Sequence, residues 1–307
     1  MSTAIYTHRS CLEHDPGPGH PESPARLAAV LEALEDPRFS ALIRIEAPKA
    51  SREQLARVHL RELIDSVLDE PVEDGWRRLD PDTVMSPASA EAALRAAGAV
   101  CAAVDATITG THRRAFCAVR PPGHHATHDT AMGFCLFNSV AVGAAHALAV
   151  HGLARVAIVD FDVHHGNGTQ DIFWSDPRVM YASSHQWPLY PGTGARSETG
   201  AGNIVNAPLR PGAGSNEFRA ACEEIVLPAL ETFAPELVLI SAGFDAHRLD
   251  PLANLQFDAD DYAWITARLV ELAGRHAQGR VVSSLEGGYS LTALRESVAA
   301  HVAALDV

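Results

Sequence analysis

The chain has 307 residues, enough for a large buried core, and its 38 acidic against 24 basic side chains give a formal charge of −14. Binding nucleic acid requires a basic face, so that class of partner is excluded as an expectation. The opening MSTAIYTHRS lacks the apolar core of a secretory signal. The apolar run 140–150 is too short to span a bilayer and carries His146, so a cytoplasmic protein with no membrane partner is expected.

No linker, repeat or low-complexity tract divides the chain, and one domain over residues 1–307 is expected. In chain order, alanine-rich Ser89–Thr107 has helical composition and Ala115–Val119 reads as a strand. Asn138–His151 reads as a helix closed by Gly152. Strands follow at Val156–Asp160 and Val179–Ser183, then a helix at Asn216–Phe233 despite Pro228, and a strand at Leu237–Ser241. Asp258 is read as the cap of a helix over Asp260–His276, followed by strand Val281–Leu285 and a last helix from Leu291 to about Leu305. This alternation predicts an α/β fold with a mainly parallel central sheet and helices on both faces. The five cysteines are odd in number and form no CxxC, which points to reduced, mostly buried thiols.

In such folds ligands bind beyond the carboxyl ends of the strands. Those ends read RPPGHHATHD, FDVHHGNG, SHQWPLYPGTG, AGFDAH and EGGYS, each with ionisable or aromatic groups beside glycine. The most informative is 155–168, RVAIVDFDVHHGNG, where an apolar run ends in aspartates, histidines and glycines. Asp160, Asp162, His164 and His165 are costly to bury unless paired, hydrogen-bonded or bound to metal. Asp162 and His164, two residues apart in an extended segment, leave the same face and can meet one cation, zinc or a related divalent metal.

Taken together, RPPGHHA (120–126), MGFCLFN (132–138), DFDVHHGNGTQ (160–170), YPGTG (190–194), SAGFDAH (241–247) and EGGY (286–289) resemble the zinc-dependent histone deacetylase family. Asn167 and the form of SAGFDAH resemble its class II branch, which includes the bacterial histone deacetylase-like amidohydrolases. The likeness runs from HPESPARL (20–27) to the final helix. It implies the arginase/deacetylase-like fold and hydrolysis of an N-acyl amine, such as acetyl-lysine.

Carried over by residue, the resemblance implies Asp162, His164 and Asp245 as ligands of one catalytic zinc, or ferrous iron. It implies His124 and His125 as the proton-transfer pair, without saying which is acid and which base. Asp160 and Asn167 are their respective partners, and Tyr289 is the donor to the developing oxyanion. Phe134 and Tyr190 are implied as tunnel walls that Gly133 lets close up. Asp160, Asp162, His164, Ser183 and Ser184 match a structural potassium site. His20, Pro21 and Glu22 are expected in a loop bordering the entrance or in an ordinary polar loop, and Asp250 in a polar loop. His8, His59, His112, His146, His151, His276 and His301 are expected to pack or sit on helix surfaces. An acetylpolyamine amidohydrolase is the alternative activity, and a two-metal ureohydrolase a more distant one. Oligomeric assembly is compatible with each.

Overall fold

The apolar runs of the chain meet side by side as one eight-stranded parallel sheet. The computed structural model describes residues 3–307, so Met1 and Ser2 of the opening segment lie outside it. The strands are β1 (Ala4–Thr7), β2 (Ile43–Glu46), β5 (Arg114–Cys117), β6 (Val156–Asp160), β7 (Val179–Gln186), β8 (Ile204–Leu209), β9 (Leu237–Ala242) and β10 (Val281–Leu285). A short antiparallel hairpin, β3 (Arg77–Arg78) and β4 (Val84–Met85), stands apart. The order across the sheet is β2-β1-β5-β10-β9-β6-β7-β8, with every pairing parallel. The five strands whose ends carry the motifs, β5, β10, β9, β6 and β7, are thus contiguous neighbours at the centre.

Register aligns their chemistry. Asp160 at the end of β6 lies opposite Ser183 of β7 and Ser241 of β9. The central strands are buried along their whole length, as parallel strands covered on both faces must be. Helices Ser89–Thr109 and Ser139–His151 pack together against the sheet, and Ala259–His276 and Leu291–Leu305 form a second packed pair. Ser89–Thr109 is long and apolar enough to cross a membrane, yet most of it is buried in the interior. All five cysteines are buried and free.

Three sequence expectations change in detail. The helix expected at Asn216–Phe233 is divided: Ser215–Ala221 leads into a π turn, Cys222–Val226, and then Leu227–Phe233. Pro228 has no N–H to donate and its ring crowds the carbonyl four residues back, and widening the preceding turn accommodates both. Asp258 does stand at the start of Ala259–His276, but its carboxylate pairs with Arg248 at 2.6 Å. Asp261 instead reaches back to accept the Asp258 N–H at 3.1 Å. Edge strands β2 and β8, the inner strand β1 beside β2, and the hairpin are not among the expected elements.

One helix start bears directly on the site. Asn138 caps Ser139–His151 by accepting the Ala141 N–H at 3.1 Å, while its amide donates to Ala126 O and Thr169 Oγ1 at 3.2 and 3.0 Å. The cap thereby fixes the loop that follows β5.

Candidate active site

Beyond β5 the loop turns back over the end of its neighbour β10. Gly123 and His124 donate their backbone N–H groups to Glu286 Oε2 at 2.6 and 3.2 Å. This directs the His124 ring towards β6, where its Nδ1 meets Asp160 Oδ2 at 2.9 Å; the same oxygen accepts the Tyr181 hydroxyl at 3.0 Å. The next ring, His125, stands 4.0 Å from it, centroid to centroid, and its Nδ1 contacts Asn167 Oδ1 at 2.8 Å. Both expected partnerships are therefore present as contacts.

The two imidazoles differ in charge preference. Burial opposes protonation of His124, but Asp160 and Asp162 outweigh it and raise its pKa to about 10. For His125 burial acts in the same direction as the neighbouring His124 and His164, and its pKa falls well below the ordinary value. The charge of Asp162 and the hydrogen bond to the neutral Asn167 oppose this fall without offsetting it. A cation on Asp162 would weaken the pull on His124 and leave that of Asp160 in place.

Asp162, His164 and Asp245 converge one layer further along the rim. His164 Nδ1 lies 3.1 Å from Asp162 Oδ1 and 3.2 Å from Asp245 Oδ2, and the three donor atoms lie within 4.8 Å of one another. Asp245 Oδ1 accepts the Val163 N–H at 2.8 Å, and Asp162 Oδ2 accepts the Gly287 N–H at 2.8 Å. Asp245 Oδ2 is buried with no hydrogen-bond partner. Burial, and then the charge of Asp162, push the Asp245 carboxyl up to about 7. Two carboxylates and one imidazole around a buried unpartnered oxygen suit a divalent metal.

A cavity of about 260 Å³ opens above this trio, lined among others by His124, His125, Phe134, His164, Tyr190 and Tyr289. The Tyr190 ring packs edge-on to His125 at 5.1 Å, and Phe134 packs on Tyr289 at 5.9 Å. Gly133 turns with φ of +58°, and a Cβ there would fall 2.4 Å from His125 Cδ2. Only glycine lets that wall approach the His125 ring. Ser183 and Ser184 are buried within β7, which runs on to Gln186, with Ser183 Oγ 2.9 Å from His185 Nδ1.

The entrance loop departs from expectation. His20 does border the cavity wall, packing on Phe134 at 4.7 Å. Glu22, in contrast, is fully buried beneath the rim, where it pairs with Arg120 and, at 2.9 Å, with Arg26. Its carboxyl is held well below the usual range: burial opposes this, but Arg120 and His14 prevail. Arg26 continues the network by donating to Gly288 O and Glu286 O at 2.6 and 2.5 Å, with its guanidinium 4.8 Å from the Tyr289 ring centre. Asp250, expected in a polar loop, is buried, and its Oδ2 accepts the N–H groups of Tyr289 and Ser290 at 2.7 and 3.2 Å. Sequence reasoning missed the roles of Asp250, Arg26, Arg120 and Glu286, because only the fold brings each to its partners: Asp250 and Arg26 to the Tyr289 segment, Arg120 to Glu22, and Glu286 to the loop after β5. For Glu286 there was a signal, an acid at a strand end beside two glycines.

Residues 20–305 match the family model of the histone deacetylase domain. The chain belongs to the histone deacetylase family. It is 40% identical to "Histone deacetylase 14, chloroplastic" of Arabidopsis thaliana over 98% of this chain and 76% of that protein. It is 39% identical to the "Histone deacetylase-like amidohydrolase" of Pseudomonas aeruginosa, covering 94% and 82% respectively. Against human "Polyamine deacetylase HDAC10" the identity is 40% over 92% of this chain and 44% of that protein. The solved HDA15 HD domain superposes with a TM-score of 0.94 at 38% identity, over 99% of this chain and 88% of that one. The fold is thus the deacetylase-like α/β fold, and the family is one of hydrolases that are generally metal-dependent.

Asp250→Ala removes the acceptor of two N–H groups that set the Tyr289 loop. Misplacing a reacting group by about 1 Å costs on the order of 10²-fold. Hydrolase kcat is expected to drop by about that factor while KM changes little; an unchanged kcat by steady-state assay would show that the loop holds its shape without Asp250.

Proposed function

We propose that the chain is a zinc-dependent deacylase that removes an acetyl or other short acyl group from acylated lysine or a similar amine. One observation carries the reading: a buried, unpartnered carboxylate oxygen on Asp245 faces His164 and Asp162 at the floor of an aromatic-walled cavity. Asp162, His164 and Asp245 would hold the ion, and zinc or ferrous iron bound there polarises the amide carbonyl and acidifies water.

The side chains divide the remaining work. His125, kept neutral, takes the proton from the attacking water, and its imidazolium returns that proton to the nitrogen of the leaving amine. His124, kept cationic by Asp160, stands beside the negative charge that develops on the former carbonyl oxygen. Tyr289 donates its hydroxyl to that oxygen. Burial, partly offset by Arg26, keeps this phenol's pKa well above the ordinary value, so it is a proton-bearing donor at neutral pH. Asn167 fixes the His125 ring through Nδ1 and leaves Nε2 to do the chemistry. Phe134 and Tyr190 grip a methylene stem without charge, and Gly133 allows that fit. Asp160, Asp162, His164, Ser183 and Ser184 would contribute oxygens to a structural potassium ion beneath the site.

An acetylpolyamine amidohydrolase is the second reading, favoured by the acidic net charge and by the name of one relative, the human polyamine deacetylase. The lining of the cavity supports lysine instead. Asp82 is its one carboxylate outside the proposed catalytic set, while Leu189 and Leu252 present apolar walls. A second ammonium group of a polyamine would find little to pair with there. The two-metal ureohydrolase stays behind both, since one ligand trio faces this cavity among the described residues.

Tyr289→Phe is expected to lose about 10²- to 10³-fold in kcat on an acetyl-lysine peptide with zinc content unchanged, as for loss of one oxyanion donor. Turnover at the parent rate would overturn the assignment. Asn167→Asp places a carboxylate on His125 Nδ1 and raises that imidazole's pKa. Because His125 must be unprotonated to accept a proton, the acid limb of the kcat/KM profile should move up by about one to two pH units. Superimposable profiles would mean that His125 is not the base.

A further inference from the structure

Helices Ser89–Thr109 and Ser139–His151 also bring together three side chains that the proposed reaction does not use. Asp105 Oδ1 lies 2.6 Å from Nε2 of both His146 and His151, and the three donor atoms fall within 4.8 Å of one another. The sequence expectation of packing or surface roles for the two histidines treats them singly. Five residues apart on one helix, they acquire a common target only when Asp105 arrives from the other.

The trio stands where both helices end, just before β5 and β6 begin, at the opposite edge of the sheet from the strand ends that carry the active site. His151 is the last residue of its helix, capped by Gly152, and Asp105 is in the last turns of a helix capped by Gly110. Both helix carboxyl ends carry partial negative charge, which favours a cation. His146 is nearly buried and His151 largely so, with side-chain exposures of 6% and 16%, while Asp105 is half exposed at 48%. One side of the trio therefore opens to solvent.

We propose that Asp105, His146 and His151 form a second metal site, for a divalent transition-metal ion of the zinc class, with a fourth position open to water. Two imidazole nitrogens and one carboxylate oxygen are the donor set such ions take. Bonds of about 2.0–2.1 Å in tetrahedral array set donor atoms roughly 3.3 Å apart, so the 2.6 Å contacts must open by about 0.7 Å. Rotation of the half-exposed Asp105 supplies that movement.

One neighbour opposes the ion. Arg57 Nη1 lies 2.8 Å from His146 Nδ1, and as an obligate donor it leaves the neutral ring its proton on Nε2, the atom that must bind metal. Its charge acts in the same direction. Glu53, 3.1 Å from Arg57 Nη2, offers the guanidinium another partner once the ion enters. Arg57 thus sets a weak affinity, and removing it should strengthen the site, which a purely structural hydrogen-bonded trio would not show.

The test is equilibrium dialysis of the intact protein against a series of free zinc concentrations, with bound metal counted by mass spectrometry. The wild-type chain should bind one more ion than His151→Ala or Asp105→Asn, both of which should keep the parent hydrolase activity. Arg57→Ala should fill the extra site at about tenfold lower free zinc. An Asp162→Ala chain, impaired at the active site, should still bind the ion lost in His151→Ala. Equal metal counts in wild type and His151→Ala, or an Arg57→Ala chain with no tighter binding, would overturn the proposal.

Discussion

Four carboxylates, Asp160, Asp162, Asp245 and Glu286, are buried to within 1% of full exclusion under one rim of the sheet. Negative charge so concentrated is costly in a low-dielectric interior unless every oxygen is matched. Seven of the eight oxygens are matched. Asp160 takes the Asp162 N–H and the His124 and Tyr181 side chains, Asp162 the His164 and Gly287 N–H groups, and Glu286 those of Gly123 and His124 with the Ser241 hydroxyl. Asp245 uses one oxygen on Val163 and leaves Oδ2 without a hydrogen bond, with the His164 ring nitrogen 3.2 Å away. The surrounding structure is arranged around that one gap.

The gap dictates the backbone near it. Gly287 passes so close that a Cβ would lie 2.1 Å from Asp245 Oδ2 and 2.6 Å from Asp162 Oδ2, so the EGGY segment must be glycine there to donate its N–H. The same segment is fastened from behind by Arg26 and from the side by Asp250. Tyr289 is therefore placed by groups that never touch a substrate. The buried Glu22 that anchors Arg26 and Arg120 extends the charge balance from the N-terminal loop to the strand ends. Its folded pKa is depressed, so its contribution to stability is present above the ordinary glutamate value and is lost as pH falls through the folded one.

What could be read in the sequence follows from the same physics. A buried central strand ending in glycine and an ionisable residue is a local signal, and all five such ends proved to be neighbours in the sheet. His124 with Asp160, His125 with Asn167, and the Asp162, His164 and Asp245 trio met as the motifs implied. The edge strands gave less: β2 is four residues of alternating charge and largely exposed. Glu22, Arg120 and Asp250 were unreadable for another reason. The buried Glu22–Arg120 ion pair, about a hundred positions apart in the chain, and the Asp250 carboxylate that takes two distant backbone N–H groups have no periodicity, and these residues look like ordinary polar loop residues until the fold closes. The π turn ahead of Pro228 was hidden because helical composition continues on both sides of it.

The account rests on the claim that a cation completes this buried charge set, and thermal unfolding of metal-free protein with and without zinc tests it most directly. Zinc should stabilise His151→Ala, in which the active-site trio is the remaining ligand set, by about 4 kcal/mol when free zinc is a thousandfold above its dissociation constant. The gain should vanish when Asp245 is also replaced by alanine. A melting temperature indifferent to zinc in the chain with Asp245 intact would contradict the account, because the unpartnered oxygen would then belong to a structure that needs no ion.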